Sequence, residues 1–500
     1  MVNYQFTEGT ICAPATIPGT GAISIIRVSG EEALTLTDKI IRVNGVPLAE
    51  TEGYRLRYGT ILESDGSVLD NVVVSVFRAP RSYTSENSVE ISCHASRYIV
   101  NAIMAQLIAA GARVAAPGEF TRRAFMNGKM DLAQAEAVAD VIASQSAASH
   151  HVAMNQLKGG FSKELKGLRE QLLKMTSLLE LELDFSEEDV EFASREELST
   201  LVDNALAHIG HLADSFSRGN AIKNGVPVAI IGATNTGKST LLNALLGEDR
   251  AIVSDIAGTT RDTIEETLDI DGVMFRFIDT AGIRETDEVV ERIGIERTFR
   301  KMSEAAIVLG MTDLTRGEDA VVADAEYILG KVPAGGRLVL LVNKCDVLDG
   351  CIFSEEKPDI DSYIASNKNV NIYNNIVSLL NNNGVSVPIL PISAKKGLGL
   401  STLTSKLAEI GREITGDADE TLVTNARHYE ALVNAATALK RVRDGLGVPN
   451  TGSAFSGTPL PPDLVAQDLR EALYHLGSII GEVTTDEVLG NIFRNFCVGK

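Results

Sequence analysis

The sequence predicts a multidomain α/β protein. An α+β domain leads, and a doubly wound α/β domain is inserted between two halves of an all-α domain. Three observations carry this expectation. Residues 221–415 alternate strand and helix signals, as a parallel sheet covered on both faces requires. The flanking segments 129–220 and 416–500 read mainly as helices. Residues 1–128 mix strand and helix patterns, and a chain of 500 residues has room for all of these.

Taken in order, residues 22–28, 72–77 and 89–93 read as strands of the N-terminal domain. From Lys129 a Pro-free, Ala/Leu/Glu/Lys-rich run reads as long helices broken near Gly159-Gly160, and a second helical stretch runs to about Arg218. In the inserted domain, strands are expected at 226–231, 273–278, 305–309, 338–342 and 387–392. A helix is expected over 238–246, with Gly247 as its stop. The Asn-rich stretch 351–387 reads as a surface excursion, and the Gly/Pro-rich stretch 445–462 as a loop between helices. Val465, Leu469, Leu473, Leu476 and Ile480 form one apolar stripe at helical spacing.

Lys plus Arg number 46 and Asp plus Glu 67, a net charge of −21, which disfavours a surface that grips phosphate backbones along its whole extent. No apolar run reaches a membrane span, and the start MVNYQFTEGT lacks targeting features, so a cytoplasmic location is expected. Five cysteines without CxxC spacing argue against a disulfide framework or a zinc site. Cys93 and His94 adjoin on a strand, so they face opposite ways and make a poor nucleophile–base couple.

Residues 232–239, GATNTGKS, fit G-x-x-x-x-G-K-[ST] between a strand and a helix. Such a loop wraps phosphates with backbone N–H groups, so Asn235, Thr236, Gly237, Lys238, Ser239 and Thr240 are expected nucleotide contacts. Lys238 would reach the β- and γ-phosphates, and the Ser239 hydroxyl would ligate Mg²⁺. Asp279, Thr280, Ala281 and Gly282 follow a strand, where a carboxylate can hold the Mg²⁺ shell and a glycine N–H can sense the γ-phosphate. Asn343, Lys344 and Asp346 end another strand. An Asp there can accept from the N1–H and 2-amino group of guanine, which adenine lacks. Ser393, Ala394 and Lys395 end the last strand, where the Ala394 N–H can meet guanine O6. In this order the motifs predict a Ras-like P-loop G domain acting on GTP. Thr260, in DIAGTTRD, is the expected switch threonine for Mg²⁺ and γ-phosphate. Ile283 stands where Ras-like enzymes place a water-orienting Gln, leaving Glu291 as a candidate for that work.

Several longer motifs extend the pattern: PGTGAISIIRVSG (18–30), PGEFTRRAFMNGKMDLAQAEAVADVI (117–142), DTAGIRETDEVVERIGIER (279–297) and NIFRNFCVGK (491–500). With them the chain resembles, over essentially its whole length, the MnmE (TrmE) family, GTPases of tRNA wobble-uridine modification. The resemblance implies domains at 1–128 (dimerisation and tetrahydrofolate binding), 129–220 and 416–500 (helical) and 221–415 (G domain). It implies a homodimer that joins an FAD-dependent partner, MnmG, in a heterotetramer, and tRNA as substrate. A 5-formyl- or methylene-tetrahydrofolate donor would serve to form a (carboxymethyl)aminomethyl group at C5 of U34. Family folate contacts fall on Arg27, Glu90, Lys129 and Lys500. A K⁺ site falls on Asn235, Ser254, Ile256 and Thr259, with Ser254 and Thr259 also among the nucleotide contacts, and the water-orienting glutamate falls on Glu291. Cys497 lies in the family's C-x-G-K tail near the folate, so a reactive thiol is weighed there against a buried structural one.

The chain departs from the family pattern at Thr234, usually Pro, and in SYTSENSVEISCHAS, which lacks glycines common after SYT and after CH. A competing reading is a regulatory GTPase switch in ribosome or RNA assembly without modifying activity. Era-like switches carry a basic KH appendage, whereas acidic helices and the FCVGK tail follow here.

Overall fold

The computed structural model describes residues 9–184, 194–248, 266–278, 305–333, 335–347, 387–416, 421–447, 460–484, 486–494, 496 and 499. The chain forms two compact units, one from residues 1–143, 153–213 and 427–500, the other from 144–152 and 214–426. No described helix is long and apolar enough to cross a membrane.

The first unit opens with strands β1 (Ile11–Pro14), β2 (Ile23–Ser29), β3 (Ile41–Val43), β4 (Arg55–Leu62), β5 (Val68–Phe77), β6 (Ser88–His94) and β7 (Arg113–Val114). They form one sheet in the order β3-β4-β5-β6-β2-β1-β7, antiparallel except where β7 runs parallel to β1. Period-two alternation decides which face is covered. In β5, Val72, Val74 and Val76 are buried while Val73 is exposed. The buried face packs with helices α1 (Ala33–Ile40) and α2 (Arg97–Ala110) through Leu36, Ile103 and Leu107. Cys93 is buried and His94 exposed, on opposite faces as the alternation requires.

Along the chain, helices α3 (Glu119–Met126), α4 (Leu132–Ala143), α5 (Ala147–Leu157), α6 (Gly160–Asp184), α7 (Arg195–Asp214) and α8 (Phe216–Asn224) follow, α8 and the start of α5 falling in the second unit, and the break between α5 and α6 falls at the expected glycines. On α6, Leu165, Leu168, Leu172, Met175 and Leu179 form a buried stripe at three- and four-residue spacing. The expected stripe Val465–Ile480 is likewise buried, on a helix spanning Pro462–Ile480 that packs against α6. Arg470 with Glu180 and Arg169 with Glu482 form ion pairs between the two segments.

The second unit carries six strands in the order β13-β12-β11-β8-β10-β9. They are β8 (Val226–Gly232), β9 (Glu266–Ile270), β10 (Val273–Ile278), β11 (Ile307–Asp313), β12 (Arg337–Asn343) and β13 (Ile389–Pro391). All neighbours run parallel except β9, which pairs antiparallel with β10. Alternate residues feed two cores. Val228, Ile230 and Leu341 lie in one; Ala229, Ile231 and Leu340 lie in the other. Helices α9 (Lys238–Glu248), α10 (Glu318–Leu329) and α11 (Leu400–Thr415) complete the doubly wound layer. Gly247 does not stop α9; it lies inside the helix, because a glycine there weakens but does not forbid helical backbone. The strand expected at 305–309 runs further, to Asp313, and the one expected at 387–392 is shorter.

In the first unit the carboxylate of Glu136 on α4 is buried beside helix α12 (Ala426–Gly445). It accepts from His428 Nε2 at 2.6 Å and from two nitrogens of Arg427 at 3.1 Å. Arg427 also donates to the carbonyls of Ser478 and Ile479 in the last turn of α13 (Pro462–Ile480). Burial on its own would raise the Glu136 carboxyl, but His428 and Arg427 outweigh it and lower it from 4.5 to about 2. Because the folded value is depressed, the stabilisation is fully present above pH 4.5 and is lost as pH falls toward 2. Glu136→Gln is expected to cost about 3 kcal/mol at neutral pH by removing the buried carboxylate that accepts from His428 and Arg427. It should also flatten the pH dependence of stability across that acid window, as read from urea midpoints by circular dichroism.

Candidate functional site

The C-terminal ends of β8, β12 and β13 converge at one end of the inserted domain. Gly232 ends β8 and Lys238 begins α9, so the chain between them must reverse within a few residues. Asn235 and Gly237 make that turn at φ +62° and +102°. A Cβ on Gly232 would lie 2.4 Å from the Met311 carbonyl oxygen, and one on Gly237 would lie 2.3 Å from Asn343 Nδ2. The glycines of the motif are therefore demanded by close approach of β11 and β12. The Lys238 ammonium donates to the carbonyls of Gly232 and Ala233, both at 2.8 Å, and burial lowers its pKa against the opposing pull of Asp324.

Asn343 ends β12, and its Nδ2 donates to the Thr236 carbonyl at 2.7 Å. Its Oδ1 accepts the Ala394 N–H at 3.0 Å. Asp346 accepts the Ser393 hydroxyl at 2.7 Å, with Lys396 3.5 Å away. The Ser393 hydroxyl, more than the lysine, holds the Asp346 carboxyl below its usual range. Asn235, Gly237, Lys238, Ser239, Thr240, Asn343, Lys344, Asp346, Ser393 and Lys395 line a single cavity of about 730 Å³. The structure thus gathers ten of the expected nucleotide contacts around one space, while buried Thr236 and Ala394 sit behind them. Val347, 62% exposed, also lines the cavity and was missed. It follows the Asn-Lys-x-Asp motif directly, and an apolar residue there carries no polar signal of its own. Ser254, Ile256, Thr259, Thr260, Asp279, Thr280, Ala281, Gly282, Ile283 and Glu291 lie outside the described residues.

A second cluster lies in the N-terminal unit. Arg27 and Glu90 stand opposite each other on β2 and β6, and Glu90 Oε1 accepts from Arg27 Nε and Nη2 at 3.0 and 2.8 Å. The guanidinium carbon lies 5.2 Å from the centre of the Tyr83 ring and 5.6 Å from that of Phe120. Arg27 Nη1 also reaches the Gly499 carbonyl at 3.4 Å, which brings the C-terminal tail to the same strand. Lys129 is exposed beyond α3, and its backbone N–H closes on the Ala124 carbonyl. Cys497 and Lys500 lie outside the described residues. At the position after SYT, where the resemblance leads to an expectation of glycine, Ser85 takes φ +61°, which a side chain tolerates less well than glycine does. No positive φ occurs at Ala95 or Ser96, and that stretch needs no glycine.

Among solved structures, the FeoB G-domain from Methanococcus jannaschii matches 37% of this chain and 97% of its own length, at 21% identity and a TM-score of 0.24. Among relatives, tRNA modification GTPase MnmE of Parabacteroides distasonis is 50% identical over 98% of this chain and 100% of its own. MnmE of Bacteroides fragilis is 50% identical over 99% of this chain, and that of Flavobacterium johnsoniae 47% over 99%, each along its full length. Residues 10–129 match the GTP-binding protein TrmE N-terminus, and residues 132–497 match the MnmE helical domain. With most of its length matched in this way, the chain belongs to the MnmE family.

Proposed function

We propose that this chain is a tRNA modification GTPase that hydrolyses GTP while a (carboxymethyl)aminomethyl group is built at C5 of the wobble uridine, U34. The observation that carries the reading is the single cavity in which the phosphate loop and the side chains of Asn343, Asp346 and Ser393 meet. Asp346, kept ionised by the Ser393 hydroxyl, accepts the two N–H groups of guanine. Adenine offers neither donor, so the same carboxylate would be left unpaired against it. The Lys238 ammonium exchanges two loop carbonyls for phosphate oxygens. The Ser239 hydroxyl, at the start of α9, suits a Mg²⁺ ligand, with Thr260 as the second protein ligand. Asn235, turned at φ +62° on the cavity wall, fits a K⁺ ligand, and family membership assigns Ser254, Ile256 and Thr259 to the same ion. A cation there supplies fixed positive charge where negative charge develops between the phosphates. Ile283 cannot hydrogen-bond to water, and Glu291 takes that orienting role.

The remaining assignments follow family membership. Domains are taken at 1–128, 129–220, 221–415 and 416–500, in a cytoplasmic protein. Arg27, held over two aromatic rings and paired with Glu90, suits an anionic tetrahydrofolate carrying the one-carbon unit, and family membership adds Lys129 and Lys500 to its contacts. Family membership makes Cys497 a candidate reactive thiol toward that donor. Exposed Leu56, Tyr58 and Val73 on β4 and β5 support a homodimer through the N-terminal sheet. The FAD-dependent partner MnmG supplies redox chemistry and, given the net charge of −21 here, the main grip on tRNA.

Deletion of the gene followed by nucleoside analysis of total tRNA should reveal unmodified U34; an intact profile would favour a regulatory switch. GTP turnover is expected to be roughly tenfold faster in K⁺ than in Na⁺, with the gain abolished in Asn235→Ala. Equal initial rates in the two salts would remove the K⁺ assignment. Asp346→Asn should weaken GTP binding on the order of 100-fold and shift preference toward xanthosine triphosphate, measured by competition with a fluorescent nucleotide.

A further inference from the structure

One buried acid at the nucleotide end is not used by any motif. Asp313 ends β11 directly beside Asn343 of β12, in parallel register. Its Oδ2 accepts from the Lys344 ammonium at 2.6 Å, while its Oδ1 accepts the N–H and the hydroxyl of Thr315 at 2.9 and 2.7 Å. The carboxylate is 3% exposed and does not line the cavity; Lys344 does. Burial on its own would raise the Asp313 carboxyl, but the bonds from Lys344 and Thr315 outweigh it and keep it ionised.

Lys344 is constrained at both ends. Its backbone sits at φ +63°, a conformation that side-chain-bearing residues rarely adopt, and its ammonium is tied to Asp313. A lysine stem normally loses rotamer freedom when a ligand packs against it. Here that ordering has been made in advance, by an acid on the neighbouring strand. A buried carboxylate is tolerated at a strand end only with such partners, so the pair orders lysine and acid together.

We propose that Asp313 is a positioning residue for nucleotide recognition: from behind the cavity it anchors the Lys344 ammonium, so that the lysine stem stands ready as a wall for the base. The inference rests on the guanine-nucleotide reading above. It separates two tasks within one motif. Asp346 reads the edge of the base and sets discrimination, whereas Lys344, held by Asp313, supplies a face and sets affinity. Loss of the anchor therefore weakens nucleotides that differ at the base edge by the same factor.

The test is equilibrium binding of GDP and IDP to the full-length chain, with kcat and KM for GTP. Asp313→Asn keeps the shape and the Thr315 contacts but removes the charge. It is expected to weaken both nucleotides by about tenfold and to raise KM, with kcat changed by less than about twofold. In a Lys344→Met background the same change should cause no further loss, because its target is gone. Additive losses in the double variant would mark Asp313 as merely structural and overturn the proposal, as would unchanged affinity in Asp313→Asn. Thr315→Val, which loosens the acid without removing its charge, covers the case in which Asp313→Asn fails to fold. Its expected loss is about threefold, again absent with Lys344→Met, and an additive loss overturns the proposal. A wild-type chain that binds no guanine nucleotide would defeat the underlying reading. Normal wild-type binding with unaltered variants defeats this inference and leaves that reading intact.

Discussion

The Asn343 side chain is 4% exposed and uses both ends of its amide, donating to the Thr236 carbonyl and accepting from the Ala394 N–H. A buried amide left unpaired costs on the order of 2–7 kcal/mol, so neither contact is readily given up. The phosphate loop, the end of β12 and the turn after β13 are therefore held as one body. Space follows the same constraint: Gly237 has no Cβ because Asn343 Nδ2 occupies the place one would take. The shape of the cavity, the turn at Asn235 and the approach of Ser393 to Asp346 all depend on this one side chain being satisfied in both directions.

The N-terminal unit uses charge to similar effect. Glu119 at the start of α3 is 3% exposed and accepts from Arg113 at 2.8 and 2.6 Å, from Arg123 at 3.1 Å and from the Ala116 N–H at 2.8 Å. Burial would push its carboxyl up, but these donors more than offset that and hold it down. Arg123 carries the connection to Glu86, which accepts from the Ser29 hydroxyl two residues beyond Arg27. The end of β2, the turn through Thr84–Glu86 and α3 are thereby joined through ionic hydrogen bonds, beside the apolar contact of Phe120 with Tyr83. Ser85 stands inside that turn at φ +61°.

Much of the fold class was legible because its signals are local. The buried runs of β8 and β12, the helical stripe Val465–Ile480 and the glycine break at 159–160 each follow from periodicity within one segment. Elements that escaped are those whose partners lie elsewhere in the chain. β4 reads as RLRYGTIL and β7 has two residues, so each becomes a strand only by pairing with a neighbour already in place. β9 escaped for the same reason: its sequence ETLDI is mostly polar, and β10 supplies its hydrogen bonds. At one end of the second sheet, motif spacing identified ten residues that line the cavity. It could not identify Val347, which lines it too, or Asp313, whose bond to Lys344 depends on the pairing of two strands.

The sequence by itself determined the fold class, the family and the order of the phosphate and base-reading motifs, since each is a matter of residue type at a given spacing. Only the tertiary structure decided that Asn343 clamps two segments, that Arg27 is paired with Glu90 across two strands, and that Glu136 and Asp313 are buried acids with cationic partners. The physical reason is the same in each case. A hydrogen bond or an ion pair in a dry interior is decided by what the fold brings within about 3 Å, and residues brought together in this way lie tens to hundreds of positions apart along the chain.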